Sequence, residues 1–546
     1  MEKPEAPPTK SGGYKKIIAI VVVIIVIAGI GIGVYEFTHP AKKTVYFYSW
    51  WASTGKVALD HVISSYEASH PGTKVEQTLK PGAAGVNAIG AILTLMKTGK
   101  SPDTFQSLYG PQILSYVETA PGGSNSFVKM NSVANDINLT TSTVFPQDLY
   151  AGTFNGTMFS LPVDLHQGGV LYFNPQLLAA NHLPAPINYT LLLSDTAALE
   201  AKGITPWIIP GNDGGYDQGE LWESLFLRFD NSTCGNATLY DKFMYGTLNL
   251  SNSTASKIIN ETNDKFISFQ KESYTGESSM TWTQALPKIL DKKAGFEVDV
   301  NSYTNYAYDY LKTTTYPVNS TYVYMNNGTL KPTAHNMTLM SMDFPGTSKY
   351  FMIVSDSIAV PSGSTSANGL TFAKFFASYS DQKIFTKWKA SSYYNNITTD
   401  YYNTPSQWAS YQQAKADANT PSDWVIDLDA GGLFAGPTTS IESKLLGLVG
   451  NPTSSGVNTF NKQLPSIISN EKSDWLAANA LGYGFMGTLS HPFGGYLPPW
   501  ISNNTTTTVT ADNTAHGNNI LTLNTIYITA PFISLFLESI IMIGRK

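Results

Sequence analysis

Residues 44–79 read TVYFYSWWASTGKVALDHVISSYEASHPGTKVEQTL, and this stretch decides the architecture. Thr44 to Ser49 is β-branched and aromatic, the composition of a buried strand. Trp50-Trp51-Ala-Ser-Thr-Gly55 reads as a turn, and Leu59, Val62, Ile63 and Tyr66 then recur at helical spacing until Pro71-Gly72 stops the helix. Val75, Gln77 and Leu79 alternate as a second strand. Onward, Val86, Ile89, Ile92, Leu93 and Met96 mark an amphipathic helix, and Ser101-Pro-Asp-Thr-Phe-Gln106 leads into a third short strand. Strand, helix, strand, helix, strand is the order of a mostly parallel α/β sheet. Ligands of such sheets gather at the carboxyl ends of strands, which is where Trp50, Trp51 and Gln106 fall.

The middle of the chain is mixed α/β as well. Gly156 to Val163 reads as turn and strand, Gly169 to Phe173 as a strand, and Asn174-Pro175 as a helix start. Tyr350 to Val354 is a strand ending in Ser355-Asp356-Ser357, and Phe372 to Phe376 begins a helix. No internal repeat of short period is visible.

Toward the N-terminus the composition changes. Residues 1–16 read as a short cytoplasmic tail, and 17–37 as an uncleaved transmembrane signal anchor, with a cleaved secretory signal as the alternative; its uncharged part, Ile17 to Val34, would extend about 27 Å as a helix. Lys15 and Lys16 before it and Glu36 after it place the rest of the chain outside the cell. Toward the other end, 485–519 is a Gly-, Pro-, Asn- and Thr-rich linker, and 520–543 a hydrophobic segment that is a candidate second membrane span. Fourteen N-x-S/T sequons agree mildly with an exterior location and a glycoprotein.

Hydrophobic residues make up 42% of the 546, which excludes a disordered chain. Charged residues make up only 14%, against roughly 25% in a typical soluble protein. Ser, Thr, Asn and Tyr supply the missing polarity, and these groups keep their solvating value in acid, where carboxylates lose theirs. The expected setting is the outer face of an acidophile. A net charge of −6 without an internal Lys/Arg block argues against a nucleic-acid partner. The single Cys234 excludes an intramolecular disulfide framework, and eight scattered His without H-E-x-x-H argue against a zinc site.

Near misses are equally informative. Thr98-Gly99-Lys100-Ser101 resembles the tail of a phosphate loop, but Thr94 stands where its first glycine is required, so it reads as a helix end. Glu220 with Glu223, or Asp427 with Asp429, could imitate a glycosidase dyad, yet such acids act across a substrate from separate segments. What remains is aromatic and polar material at strand ends. An aromatic ring covers the C–H face of a sugar, while Asp, Asn, Gln, His and Lys satisfy its hydroxyls. Adjacent strand residues point to opposite faces, so Trp50 and Trp51 cannot both enter one core, and at least one faces a cleft.

Val45-Tyr-Phe-Tyr-Ser-Trp-Trp-Ala, Gly85-Val-Asn-Ala88, Pro102-Asp-Thr-Phe-Gln106, Leu161-Pro-Val-Asp-Leu-His166, Leu221-Trp-Glu-Ser224 and Phe351 to Pro361 occur in order. Together they resemble the family 1 extracellular solute-binding proteins of ABC importers, and among these the glucose/galactose-binding members. The resemblance spans roughly residues 44 to 450. It implies a periplasmic-binding-protein-like α/β fold of two discontinuous, hinge-bending lobes, with 44–166 and 298–356 in the first and 167–297 and 357–484 in the second. It also implies a sugar held between the lobes, a partner permease in the membrane, no cofactor and no catalysis. The implied ligand-binding residues are Trp50, Trp51, Gln106, His166, Trp222, Asp356 and Lys389. Two departures stand out: Gly55 replaces the acidic residue expected after the Trp pair, and a late His expected near Gly431 is missing. A cell-surface glycoside hydrolase sharing the aromatic platform, and a structural surface protein with an idle cleft, are the competing readings.

Overall fold

A computed structural model describes residues 43–427 apart from 82–85, 111, 155, 245, 319–329, 331–335, 364, 419 and 421–422, together with 444, 445, 448 and 453–480. The anchor at 17–37, the linker at 485–519, the segment 520–543, Asp429 and Gly431 lie outside the described residues. Among the described residues no helix is long and apolar enough to cross a membrane.

The first sheet runs in the order Thr73–Leu79, Lys43–Ser49, Thr104–Leu108, Asp356–Ala359, Ser160–Pro162. Its first three strands are parallel, with Val45 opposite Val75 and Phe47 opposite both Gln77 and Thr104. Asp356–Ala359 and Ser160–Pro162 close it antiparallel. The opening strand is buried on one face rather than both. Val45, Phe47 and Ser49 are enclosed, whereas Tyr46 points out. The enclosed face packs against the helix Ser366–Phe376, with Phe372 edge-on to Phe47. The helices at Ser53–Ser69 and Val86–Lys97 and the strand Thr73–Leu79 fall where the periodicity puts them. The expected helix end at Thr98-Gly99 is present, with Gly99 at φ +69° in the left-handed conformation that terminates helices.

The second sheet runs in the order Thr315–Pro317, Leu339–Asp343, Val170–Phe173, Ala294–Asp299, Thr205–Trp207. Over it lies the helix Tyr216–Cys234, whose Leu221, Trp222, Leu225 and Phe226 enter a core shared with Ser253–Lys271 and with Phe460, Leu464 and Ile468 of the long helix Ser454–Ala480. Strand pairing therefore exchanges part of the expected lobe assignment. Ala294–Asp299, Thr315–Pro317 and Leu339–Asp343 belong with the second sheet, and Asp356–Ala359 with the helices Ser366–Phe376 and Tyr379–Trp388 belongs to the first. Hydrophobic alternation reports which residues are strands but carries no information on which sheet a strand joins.

Between the two sheets the chain passes three times. His166–Gln167 leads from the first sheet to the second, Phe351–Val354 returns, and Trp424–Ile426 leads back toward the second-lobe helix at 454–480. These three segments pair side by side in a small sheet of their own. Such a bundle of crossing strands is where a hinge between lobes is built.

Candidate functional site

Ser49 and Gln106 lie toward the carboxyl ends of parallel strands, and the antiparallel strand that starts at Asp356 enters the sheet at that same edge, opposite Leu108. Asp356 thereby arrives beside Trp51 and Gln106. The Trp51 indole N–H donates to Asp356 Oδ2 at 3.0 Å, and the Gln106 amide donates to Asp356 Oδ1 at 2.7 Å. Gln106 Oε1 in turn accepts the Trp50 backbone N–H at 3.0 Å.

Lys389 comes from the opposite side. The helix Tyr379–Trp388 ends on it, and Ala390 turns the chain at φ +57°. Ser391 then exchanges backbone hydrogen bonds of 2.8 and 2.9 Å with Leu165. This clamp sets Lys389 against Asp164 and His166, which flank Leu165 and share one side of the extended chain. The Lys389 ammonium donates to Asp164 Oδ2 at 2.6 Å and to Asp356 Oδ2 at 2.5 Å, and lies 2.5 Å from His166 Nε2. It fills the position that a metal ion would take among Asp164, His166 and Asp356. Asp164 Oδ1 accepts the Asp356 backbone N–H at 2.7 Å.

The second lobe reaches this cluster through two asparagines. Asn301 Oδ1 lies 3.2 Å from His166 Nδ1, and Asn305 Oδ1 accepts the Ala390 N–H at 2.9 Å. Because the Asn301 amide nitrogen donates to Ser410 Oγ, its oxygen is the acceptor, so His166 Nδ1 carries a proton. In the neutral imidazole Nε2 then accepts from Lys389. The helix Tyr303–Asp309, which carries Asn305, also packs on Ser53–Ser69 of the first lobe.

Electrostatics follow from this geometry. Burial opposes ionisation of Asp356, but the Lys389 and His166 charges overcome it and hold the carboxyl far below its ordinary value. Burial likewise disfavours the Lys389 charge, and the carboxylates of Asp164 and Asp356 outweigh it, so its pKa rises. Burial and the Lys389 charge push His166 down, while Asp164 and Asp356 push it up further, and the net direction is upward. With His166 protonated, two cations balance two carboxylates. The result is a cluster rich in donors and acceptors without excess charge.

The expected site residues separate into three groups. His166, Asp356 and Lys389 converge and each keeps a small accessible surface, and the half-buried Trp50 is linked to them through its backbone N–H on Gln106. Trp51 and Gln106 join the cluster from behind. Trp51 is 3% exposed and sits among Phe47, Phe376 and Phe385, and Gln106 has no exposed surface. The pair follows the strand Lys43–Ser49 and divides, with Trp51 the inward ring. Gly55 has a packing reason, since a Cβ there would lie 2.8 Å from that of Trp51. Trp222 does not reach the cluster. It has no exposed surface, packs on Phe226, Phe243 and Phe460, and its indole N–H donates to Asn263, so it is a core residue of the second lobe. Asp164, Asn301 and Asn305 were missed from the sequence. The first had a signal, its two-residue spacing from His166. Trp51→Phe keeps a ring but removes the hydrogen bond to Asp356, and should lower stability by about 1.5–3 kcal/mol in denaturant titration.

A family model described as bacterial extracellular solute-binding protein matches residues 50–383. The glucose-binding protein GlcS of Saccharolobus solfataricus is 39% identical over 481 residues, covering 87% of this chain and 82% of that protein. Among solved structures, the bacterial galactopyranose receptor AcbH superposes with a TM-score of 0.60 at 14% identity, over 79% of this chain and all of that one. Maltose-bound MalE3 of T. maritima gives 0.56 at 14% identity, over 78% and 99%. These structural likenesses agree with an α/β fold of two lobes. The chain belongs to the bacterial extracellular solute-binding protein family.

Proposed function

We propose that this chain is a membrane-tethered sugar receptor that captures a neutral glucose- or galactose-like sugar, or a small oligosaccharide, between its lobes and delivers it to an ABC-type permease. The observation that carries this reading is the convergence of Lys389, His166 and Asp356, to which the half-buried Trp50 is linked through Gln106, with Asn301 and Asn305 arriving from the other lobe. The charged groups are already balanced among themselves, which suits an uncharged ligand rich in hydroxyls. Hydrogen bonds to charged groups contribute about 1.5–3 kcal/mol each. Contacts made from both lobes favour the closed form by their differential energy, and the closed form is what a permease can recognise.

The relative GlcS bears the name of a glucose-binding protein, which supports a hexose. The N-terminal apolar run and the low charge support tethering at an acidic outer face. Against the hydrolase reading, three of its four candidate acids are enclosed, Glu220 and Glu223 at 1% exposure and Asp427 at none, while Asp429 lies outside the described residues. A melting screen across neutral hexoses, pentoses and disaccharides tests the proposal. A cognate sugar at 100 times its dissociation constant should stabilise the chain by about 2.7 kcal/mol, and Trp50→Ala should weaken that sugar at least tenfold. A flat response across the panel would leave the cleft without a sugar to bind.

A further inference from the structure

We propose that Asp164 is a positioning residue of the sugar site: fully enclosed and out of reach of ligand, it fixes the Lys389 ammonium, the Asp356 backbone and the His166 ring. The consequence for affinity rests on the sugar reading above, while the geometry stands without it.

Both Asp164 oxygens are used. Oδ1 accepts the Asp356 N–H at 2.7 Å, and Oδ2 accepts Lys389 Nζ at 2.6 Å while lying 3.2 Å from His166 Nε2. One side chain therefore ties together the crossing segment, the strand that starts at Asp356 and the chain after the helix Tyr379–Trp388. The groups facing His166 are Asp164 from its own segment, Asp356 from the first sheet, Lys389 from the helix end and the Asn301 amide from the second lobe. Without the Asp164 charge, Lys389 and His166 would face one carboxylate between them. Lys389 Nζ and His166 Nε2 are 2.5 Å apart with one proton between them, so protonating His166 must part the two nitrogens, and each cation then needs a carboxylate of its own. An amide at position 164 can still accept from Lys389, but it cannot offset a charge. Asp164→Asn should therefore hinder protonation of His166 and let Lys389 relax away from the cleft.

The test combines NMR titration of the His166 imidazole with calorimetric hexose binding, on the full chain carrying Asp164, Asp164→Asn or Asp164→Glu. In the unsubstituted protein the His166 midpoint should lie above its ordinary value near 6.5. Asp164→Asn should lower that midpoint by a unit or more and weaken hexose binding at least tenfold, with a pH dependence displaced to lower pH than the parent's. Asp164→Glu keeps the charge, so it should hold the midpoint high and recover part of the affinity. A residue that only supported the fold would weaken binding equally at every pH and leave the midpoint alone, and that result overturns the proposal. A parent midpoint at or below 6.5 overturns it even if Asp164→Asn fails to fold. If the parent binds no hexose, the sugar reading fails, and the His166 midpoints still decide the role of Asp164.

Discussion

Raising the pH from 4 to 7 lowers the melting temperature of this chain, by roughly 10 °C on the scale of a few kcal/mol for a large domain. The cause is a set of carboxyl groups enclosed in the second lobe. Asp217, Glu220, Glu297 and Asp299 are each at most 1% exposed, and among the described residues none of them forms an ion pair with Lys, Arg or His. The Tyr303 hydroxyl has one proton to donate, yet Glu297 Oε1 lies 2.8 Å and Asp217 Oδ1 3.4 Å from it. Asp217 and Asp299 also hydrogen-bond each other, which two carboxylates cannot do without a shared proton. Burial, reinforced by neighbouring carboxylates, raises Asp217, Glu220 and Glu297 well above the usual carboxylate range. Burial alone takes Asp195 to about 7, and it takes Asp148 to about 7 against a hydrogen bond from Ser355.

The sign of the effect is fixed by which state holds the protons. The unfolded chain releases them near pH 4, whereas the folded chain keeps them to about pH 7 or beyond. Their contribution is full below pH 4 and is lost as pH climbs through the folded values. Asp356 works in the opposite sense. Its depressed pKa contributes fully above about pH 4 and is given up only as pH falls below that. The two windows meet near pH 4, where stability should peak. Melting curves from pH 2 to 8 check this, and Glu297→Gln or Asp299→Asn should flatten the neutral limb. A maximum at pH 7 or above would refute it, and collapse of the ectodomain near pH 3 would remove the acidic setting.

The second large effect concerns Asp356. Its carboxylate receives Trp51, Gln106 and Lys389, so Asp356→Asn both breaks an enclosed ion cluster and alters the cleft wall. Removing one partner of a buried pair costs about 3–5 kcal/mol. Sugar binding should fall at least tenfold, about 1.4 kcal/mol, since Lys389 would turn toward Asp164. Denaturant titration and calorimetry separate the two losses. Wild-type affinity in this variant would take Asp356 out of the site, whatever happens to stability.

Much of this was legible in the sequence because local physics carried it. The run from Thr44 to Gln106 shows its strands and helices by period alone, and the Trp pair declared that one ring must turn away from the core. Family motifs then brought His166 together with Asp356 and Lys389, which lie more than 180 residues further along the chain. Two things were not legible. Tyr350 to Pro361 reads as one strand and a tail, but the chain crosses between sheets within it, at Ser355, and no periodicity marks a change of partner. Trp222 has the composition of a sugar platform, and only the three-dimensional packing of Phe226, Phe243 and Phe460 around it reveals a core residue. Asn301 and Asn305 carried no signal either, since their relevance depends on the second lobe meeting Ala390 and His166.

The position of a bound hexose is the most direct check. A crystal grown at pH 4 with the sugar that most raises the melting temperature should show its ring against Trp50, with hydroxyls within 3.2 Å of Lys389, His166 or Asp356 and at least one contact from the second lobe. A hexose bound elsewhere on the chain, with the Lys389 cluster untouched by ligand, would contradict the account.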